Sequence, residues 1–570
     1  MTRFARAFFA AVATMALLGN VRAECDVWVV TQTRRVLRDA PAGSETAVRI
    51  NAAKNEWESF QILLRSDTAL EGISVEPGDL AGPGGAVIPA SQARLFRQHQ
   101  FELTVPTVRN DNPKLGWYPD ALIPFRHPES GERLAGARLQ AAPFDLPAGQ
   151  SHGFWVDVFV PPDAAAGDYR GDYRVTAAGK LLATVPVSLT VWDFQLPRTS
   201  TMVTALGSPA QRLRGYYAKR AKAGREQAPT DFSTIDRQCA DLLASHRINA
   251  SPPPDSLTAL AQPDGSFVVP DAQIDALREF VDRCHVNAVR LPHPRTAVKD
   301  PRTQAARLRA WLAAWDRVAA ELDRPHVLFY FYLKDEPNDE EAYQYVQLWG
   351  RAIREAGSVA KVMVVEQTWT QKEAWGDLYG AVDIWCPLFS LFKPKSAARR
   401  QALGETVWTY TALCQGNKTP WWHTDFPLLH YRVPAWIAWR YRIRGILYWG
   451  GMVYWNDVDD PWTDPGTLDR RDRNPKYMYN GEGSLLYPAR AVGYEGIAPS
   501  IRLKALRDSI EDYEYLAILE RLGLESPAQD VVVELAESWF QWEPDPAAYE
   551  KARTRLAEMI LSTKACPTHP

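Results

Sequence analysis

The segment FYFYLKDEPNDEE, from Phe329 to Glu341, decides how this part of the chain folds. Its first five residues, Phe329–Leu333, are strong β-formers, and Pro337 cannot donate a hydrogen bond to a neighbouring strand. Between them stand two adjacent carboxylates, Asp335 and Glu336. A buried parallel strand that stops at acidic residues is typical of the carboxyl edge of a (β/α)8 barrel, where catalytic side chains lie. The segment therefore predicts such a strand with a carboxylate pair at the barrel mouth.

Length and composition limit the possible classes of protein. At 570 residues the chain exceeds what one hydrophobic core usually organises, so two or three domains are expected. The net charge of -3 is spread along the sequence without a long basic run, which argues against a nucleic-acid partner. The 21 Trp and 22 Tyr suit sugar binding, since aromatic rings stack on sugar C–H faces, but they also fill cores.

The first residues predict export. Arg3 and Arg6 precede an apolar stretch at 7–18, and Val21-Arg22-Ala23 has the small-x-small pattern of a cleavage site. We therefore expect a signal peptide cleaved after Ala23 and a periplasmic or secreted protein. Glu24 lies where a lipid anchor needs a small residue, so lipidation of the next residue is not predicted. No later segment has the roughly 20 apolar residues of a membrane span.

No metal or other cofactor is predicted. The six cysteines lack C-x-x-C spacing; export permits disulfides, and Cys25 could pair with Cys566, although spacing cannot establish it. The acidic run 456–464 lacks the glycine and the terminal glutamate of an EF-hand loop, so we expect a solvated loop there. The sequence does not predict an oligomeric state.

Residues 24–197 have the pattern of a β-sandwich. Short strands alternate in polarity between Gly- and Pro-rich turns, without a long helical period. The strand candidates are Asn55–Arg65, Phe154–Val160, Arg170–Thr176 and Thr184–Trp192. Leu196-Pro197 marks the exit from this domain.

Residues 198–499 predict a (β/α)8 barrel, because short apolar strands alternate with amphipathic helical segments over about 300 residues. The eight strand candidates are Met202–Leu206, Ile248–Ser251, Asn287–Leu291, Val327–Leu333, Lys361–Val365, Asp383–Cys386, Thr406–Tyr410 and Gly445–Trp449. A doubly wound open sheet is the alternative, but no Gly-rich phosphate loop supports it. Residues 500–570 predict helices packed on the barrel, with Ser500 as an N-cap.

The carboxylate pair suggests hydrolysis of a glycosidic bond. A retaining glycosidase normally uses an acid/base and a separate nucleophile about 5 Å apart, but the residues around the end of the seventh predicted strand, Trp408-Thr409-Tyr410-Thr411, include no acidic one. The absence of an acidic residue there favours substrate-assisted cleavage. In this mechanism Glu336 acts as general acid/base, and Asp335 orients a 2-acetamido group that attacks the anomeric carbon. The structural alternative makes the pair an N-cap and first-turn acid of the next helix.

Aromatic residues near the carboxyl ends of the last predicted strands are candidates for a sugar platform and an acetamido cage. They are Trp385, Tyr410, Trp449 and Trp455, together with Asn456. Ordinary barrel packing is the alternative for each ring.

Three polar residues follow other predicted strands. Glu366, just past the fifth strand, is predicted to contact substrate or, in a different mechanism, to act as nucleophile. Arg290 and His293, around the end of the third strand, are candidate ligands of sugar hydroxyls, with structural salt bridges as the alternative.

Several segments together resemble glycoside hydrolase family 123, the exo-β-N-acetylgalactosaminidase family. They are NEWESFQ (55–61), WDFQLP (192–197), YLKDEP (332–337), LYWGGMVYW (447–455), DPW (460–462), NGEGSLLYP (480–488) and SIRLKALRDSIEDYEYL (500–516). The resemblance implies a β-sandwich followed by a (β/α)8 barrel, and it places the catalytic pair at Asp335 and Glu336. In the last segment, we expect charged residues to form a helix-to-barrel ion network: Arg502, Arg507, Glu511 and Asp512.

We therefore predict a glycoside hydrolase that acts on a terminal β-linked N-acetylhexosamine; the preference for N-acetylgalactosamine rests on the resemblance. Two alternatives stay open. One is a glycosidase for a neutral sugar that pairs Glu336 with another carboxylate such as Glu366. The other is a non-catalytic carbohydrate-binding protein, in which Asp335 and Glu336 would be buried in structural ion pairs.

Overall fold

The computed structural model describes residues 25–253, 256–455, 458–464, 467–468 and 478–565. The predicted signal peptide lies outside these residues, as do Asn456, a predicted sugar contact, and Cys566, the possible partner of Cys25.

Two facing β-sheets form the N-terminal part. Its strands are β1 (Cys25–Thr31), β2 (Val48–Lys54), β3 (Glu56–Ser66), β4 (Leu70–Glu76), β5 (Leu80–Ala81), β6 (Val87–Ile88), β7 (Ala93–Leu103), β8 (Gly116–Pro124), β9 (Phe144–Leu146), β10 (Ser151–Val160), β11 (Gly167–Ala177) and β12 (Lys180–Gln195). One sheet has the order β1-β3-β10-β7-β8, and the other contains β2-β12-β11-β4-β9 with β5 and β6 at its edge. Apolar side chains of both sheets, such as Phe60 and Val187, share one core. This is the arrangement of a β-sandwich.

A nearly closed parallel sheet follows. Its seven strands and one inserted hairpin (β14, β15) are β13 (Val203–Ala205), β14 (Leu260–Ala261), β15 (Phe267–Val268), β16 (Ala288–Arg290), β17 (Leu328–Asp335), β18 (Lys361–Val365), β19 (Ile384–Trp385), β20 (Thr406–Thr411) and β21 (Gly445–Tyr448). The strand order is β13-β21-β20-β19-β18-β17-β16. Around it lie α1 (Pro209–Lys222), α2 (Ser233–Ala244), α3 (Asp271–Cys284), α4 (Ala305–Leu322), α5 (Glu340–Glu355), α6 (Pro394–Ala402) and α7 (Leu429–Arg440).

The predicted second strand, Ile248–Ser251, is not a strand, so the described residues form a sheet of seven strands where eight were predicted. Side chains bridge the gap instead. The Asn249 amide donates to Asn287 Oδ1 at 2.6 Å and accepts from the Asn287 backbone N–H at 3.0 Å. On the other side, the Asn249 N–H donates to Thr204 Oγ1 at 2.8 Å. Prolines at 252 and 253 have no backbone N–H, so no ladder can continue beyond Ser251.

The remaining strands and helices follow the parallel sheet in the sequence. They are β22 (Thr467–Leu468), β23 (Met478–Tyr479), β24 (Leu486–Pro488), β25 (Ile497–Pro499), α8 (Ile501–Arg521), α9 (Glu525–Leu535), β26 (Ala536–Ser538), β27 (Gln541–Trp542) and α10 (Pro546–Ala565). Helix α8 is buried along most of its length, and the Ser500 side chain caps it by accepting from the Leu503 N–H.

The predicted ion network of α8 reaches both halves of the molecule. Asp512 pairs with Arg432 on α7 at 2.7 Å, and Glu511 pairs with Arg247 after α2 at 3.2 Å. On the other side of the helix, Arg502 pairs with a β8 residue, Asp120, at 2.7 Å. The helix therefore ties the sandwich to the barrel-like sheet by buried charges, whereas the sequence predicted contacts to the barrel alone.

Candidate active site

A β-bulge in β17 sets the direction of Asp335. Tyr330 and Tyr332 point into the interior of the parallel sheet, where they pack in its central cluster. The register with β18 then shifts between Tyr332 and Lys334, so that Leu333 is an extra residue in β17. Because an extra residue moves the alternation by one position, Asp335 lies on the same side as Tyr332. The Tyr332 hydroxyl donates to Asp335 Oδ1 at 2.8 Å.

Glu336 turns to the same side through its backbone conformation. Its φ is +37°, in the left-handed region that costs a non-glycine residue about 1–2 kcal/mol. The Tyr410 hydroxyl, from the end of β20, donates to Glu336 Oε1 at 2.5 Å. Two consecutive residues, which in a regular strand would face opposite ways, thus present both carboxylates to one side of the sheet.

The pair is not the cap of the next helix. Asp339 is the N-cap of α5, where its side chain accepts from the Ala342 N–H, and Glu340 and Glu341 are the first-turn acids. Asp335 and Glu336 are exposed, and among the described residues neither forms an ion pair. This geometry leaves both carboxylates accessible to a ligand.

Two tyrosine hydroxyls hold the carboxylates in place, one from the buried Tyr410 and one from the half-buried Tyr332. Burial raises the pKa of Tyr410, and the neighbouring charge of Glu336 and the hydrogen bond to it raise it further. Burial raises the pKa of Tyr332 as well, with the charge of Asp335 and its hydrogen bond adding to the effect. Both phenols therefore stay protonated through the neutral range and act as constant donors. The Cys386 thiol is buried nearby; burial and the charge of Asp335 raise its pKa.

Glu366 follows β18 and is 4% exposed. Burial raises its pKa to about 8, and the charge of Glu336 adds to the rise, while hydrogen bonds from Gln371, the Gln367 amide and Tyr343 oppose it. At neutral pH this carboxyl is therefore mainly protonated, and it lies close enough to Glu336 to be affected by its charge. A neutral buried carboxyl does not have the ionised form that a nucleophile needs.

The two polar residues predicted around the end of the third strand, Arg290 and His293, have different surroundings. Arg290, the last residue of β16, is exposed, and its guanidinium lies 4.5 Å from the centre of the Tyr332 ring. His293 accepts from the Arg295 N–H at Nδ1, so Nε2 carries the proton and donates to the Leu333 carbonyl at 3.1 Å. Arg290 can reach a substrate, whereas His293 supports the bulge in β17.

Trp449 is the half-buried aromatic residue at the end of β21. Its indole N–H donates to Glu482 Oε1 at 2.7 Å. Glu482 is fully buried, which raises its pKa to about 8 against the hydrogen bond from Trp449. The imidazole of His423 lies beside it, with Nδ1 3.4 Å from Glu482 Oε2. Glu482, for which the sequence pattern predicts no role, therefore fixes the orientation of a ring that was predicted to contact sugar.

Two predicted aromatic contacts are placed in the core instead. Trp385 is 1% exposed, and its indole donates to Glu405 at 2.6 Å; it packs on the outer side of the sheet because its neighbours in the chain face inward. Trp455 is 2% exposed, and its indole donates to the Leu486 carbonyl at 2.9 Å. Both rings are therefore packing residues and do not line the mouth.

Two surface cavities lie away from the carboxylate pair. One of about 200 Å³ lies between α1 and the loop at Trp455, and one of about 410 Å³ lies between Trp57 of the sandwich and the end of α3. In the described part of the chain, no helix is long and apolar enough to cross a membrane. The same residues contain no group of three or more metal-ligating side chains placed to hold an ion.

Comparison with known proteins agrees with the resemblance seen in the sequence. Residues 326–519 match the model of the catalytic domain of glycoside hydrolase family 123. A family 123 glycoside hydrolase from Clostridium perfringens, whose structure was analysed to explain glycolipid glycan hydrolysis, is similar over 95% of this chain and 98% of its own, with 13% identity and a TM-score of 0.65. No curated protein sequence matches this chain.

Two other glycoside hydrolases are more distant in structure. A family 39 enzyme from Bacteroides cellulosilyticus WH2 is 11% identical over 84% of this chain and 82% of its own, with a TM-score of 0.31. A GH5 xyloglucanase from Bacteroides ovatus is 8% identical over 85% of this chain and all of its own, with a TM-score of 0.26. The family model confirms the resemblance to family 123 over residues 326–519 and supports a glycoside hydrolase, and the Clostridium perfringens structure shows a similar fold over almost the whole chain.

Proposed function

We propose that the protein cleaves a terminal β-linked N-acetylhexosamine, N-acetylgalactosamine by the family resemblance, through a substrate-assisted retaining mechanism. The observation that carries the proposal is the bulged end of β17, which presents Asp335 and Glu336 to the same side of the sheet. Adjacent residues so arranged suit a reaction in which the substrate supplies the nucleophile and the enzyme supplies one orienting and one proton-transferring carboxylate.

In the first step, Asp335 accepts a hydrogen bond from the acetamido N–H and directs the carbonyl oxygen towards C1. That oxygen forms a bond to C1 while the bond from C1 to the leaving oxygen breaks, and Glu336 transfers its proton to the leaving oxygen. The product of the step is an oxazolinium ion whose positive charge lies next to the Asp335 carboxylate. The Tyr332 hydroxyl keeps that carboxylate in place by donating to its other oxygen.

In the second step, Glu336, now ionised, accepts a proton from a water molecule as the water attacks C1. The bond from C1 to the acetamido oxygen breaks, the amide re-forms, and the sugar is released with its original configuration. Tyr410 donates to Glu336 and fixes the carboxylate for both proton transfers. In this proposal the exposed Arg290, beside the Tyr332 ring, and the half-buried Trp449 contact the sugar beyond the reacting atoms.

The alternatives are less consistent with the site. A neutral-sugar glycosidase would need an ionised second carboxylate, but Glu366 is buried with its pKa raised to about 8. A silent binding protein would be expected to bury the pair in ion pairs, whereas Asp335 and Glu336 are exposed and are bound by tyrosine hydroxyls.

The test is hydrolysis of aryl β-glycosides of N-acetylgalactosamine, N-acetylglucosamine, galactose and glucose by the wild type, Asp335→Asn and Glu336→Gln. We expect release only from the 2-acetamido sugars, with each variant slower by about 10²–10⁴-fold in kcat. A galactose-configured thiazoline, a stable analogue of the oxazolinium ion, should inhibit competitively. Release from galactoside or glucoside at a similar rate would refute the assignment of the substrate as nucleophile.

A further inference from the structure

The turn that carries Glu336 is tethered from the loop after β18. We infer that Glu366 and Gln371 are positioning residues, which hold the turn at 336–338 so that Glu336 faces the substrate. The inference rests on the proposed function, in which Glu336 transfers the proton. It replaces the predicted roles of Glu366 as a substrate contact or nucleophile.

The side chain of Gln371 forms hydrogen bonds both with the turn at 336–338 and with the carboxyl group of Glu366. Its side-chain amide nitrogen lies 3.3 Å from the Pro337 carbonyl oxygen and 3.0 Å from Asn338 Oδ1, both in the turn. The same nitrogen lies 3.1 and 2.9 Å from the two carboxyl oxygens of Glu366. An amide has two N–H donors, so one can serve the turn while the other serves Glu366.

Further hydrogen bonds, from groups other than Gln371, hold the Glu366 carboxyl in place. Its Oε1 accepts from the Gln367 N–H at 3.0 Å, and Tyr343 on α5 forms a hydrogen bond with it. The Tyr343 hydroxyl also accepts from the Gln371 N–H at 3.3 Å. The carboxyl therefore connects β18, α5 and the Gln371 loop, and its contact with the turn runs through Gln371.

The tether matters because the turn is strained. Glu336 has a left-handed backbone at φ +37°, and such a conformation persists only when its surroundings hold it. Pro337 has no N–H to help, so the carbonyl of Pro337 and the side chain of Asn338 are the groups by which the loop can hold the turn. A charge on Glu366 would stand beside the charge of Glu336; the neutral form allows close packing without repulsion.

The experiment compares Glu366→Gln, Glu366→Ala and Gln371→Ala, with the exposed Glu373→Gln from the same loop as the control. Two readouts are taken: kcat and KM on the aryl β-N-acetylhexosaminide, and hydrogen exchange of the backbone amides at 333–339 by mass spectrometry. We expect kcat to fall about 10–100-fold in Glu366→Ala and Gln371→Ala with KM changed less than about threefold, as misplacement of a catalytic group predicts. Glu366→Gln should recover most of that loss, and exchange at 333–339 should rise only in the two alanine variants.

Two results would overturn the inference. If Glu366→Gln is as inactive as Glu366→Ala with unchanged exchange, the carboxyl takes part in the chemistry. If exchange at 333–339 is unaffected in Gln371→Ala, the loop does not hold the turn. The exchange readout needs no substrate, so a wild type that hydrolyses none of the glycosides would defeat the proposed function and still leave the tether tested.

Discussion

Replacing Glu366 by glutamine is expected to stabilise the protein at pH 8 and to leave its stability nearly unchanged at pH 4. Burial raises the pKa of Glu366 from 4.5 to about 8. Between these values, the folded protein keeps a proton that the unfolded chain has released, so the free energy of unfolding of the wild type falls as the pH rises through that window. Glutamine does not titrate and has nearly the same shape, so Glu366→Gln does not lose stability in this way.

The expected gain in the free energy of unfolding of Glu366→Gln follows from the rise in the pKa of Glu366. A difference of about 3.5 pKa units corresponds to a ceiling of about 5 kcal/mol, at about 1.4 kcal/mol per unit. Local relaxation and water entry around the ionised carboxyl in the folded protein reduce this ceiling, whereas the amide of glutamine both donates and accepts hydrogen bonds at every pH. Because only this pH-dependent relaxation separates the ceiling from the measured value, a gain of about 1–3 kcal/mol at pH 8 is expected, equivalent to a rise of a few degrees in Tm.

The assay is urea and thermal unfolding of wild type, Glu366→Gln and the control Glu373→Gln at pH 4, 6 and 8. The difference between Glu366→Gln and wild type should be near zero at pH 4, grow at pH 6 and reach its maximum at pH 8. Glu373 is exposed, so its variant should follow the wild type at every pH. An equal difference at pH 4 and pH 8, or a loss of stability at pH 8, would show that Glu366 is ionised in the folded protein.

Three further changes test other parts of the structure. Tyr410→Phe removes the donor to Glu336 and should lower kcat/KM about 10–100-fold, since hydrogen bonds to charged groups are worth about 1.5–3 kcal/mol, with Tm unchanged; full activity in initial-rate assays would contradict the role given to Tyr410. Asn249→Ala leaves polar groups of Asn287 unpaired and should cost about 1–3 kcal/mol in urea unfolding, unless the gap in the sheet closes by other means. Asp120→Ala leaves the buried Arg502 with two carbonyl acceptors but without its ion-pair partner and should cost about 3–5 kcal/mol; a loss below 1 kcal/mol would show that water reaches this charge.

The strands were predictable where apolar runs are bounded by turn residues. Seven of the eight predicted strands of the parallel sheet are present, and β18 has the predicted bounds, Lys361–Val365. The prediction of the second strand, Ile248–Ser251, was wrong. Its composition is typical of a strand, but hydrogen bonds of Asn249 to Thr204 and Asn287 take the place of a backbone ladder. Competition between a side chain and the backbone for the same hydrogen-bond partners leaves no periodic pattern in a single sequence.

The direction of aromatic side chains was less predictable than the position of the strands. Tyr410 lies in the interior of the sheet and Trp385 on its outer side, although both belong to the last part of a strand. The alternation of side chains offered a signal, because Cys386 and Trp385 must face opposite ways and the smaller Cys386 fills the interior below the carboxylates. Gln371 gave no such signal, since it lies six residues beyond β18 in a loop whose path the sequence does not define.

The bulge explains why a pair of adjacent carboxylates can serve one reaction. In a regular strand, Asp335 and Glu336 would point to opposite faces, and only one could reach a substrate at the mouth. The extra residue at Leu333 turns Asp335 inward beside Tyr332, and the left-handed backbone at Glu336 then turns the next side chain to the same side beside Tyr410. Both irregularities carry a conformational cost, and each has a hydrogen bond that offsets part of it: His293 donates to the Leu333 carbonyl, and Gln371 donates to the turn after Glu336. The geometry of the pair is thus maintained by residues that need not touch the substrate, which is why their removal is expected to lower the rate by a smaller factor than removal of the carboxylates themselves.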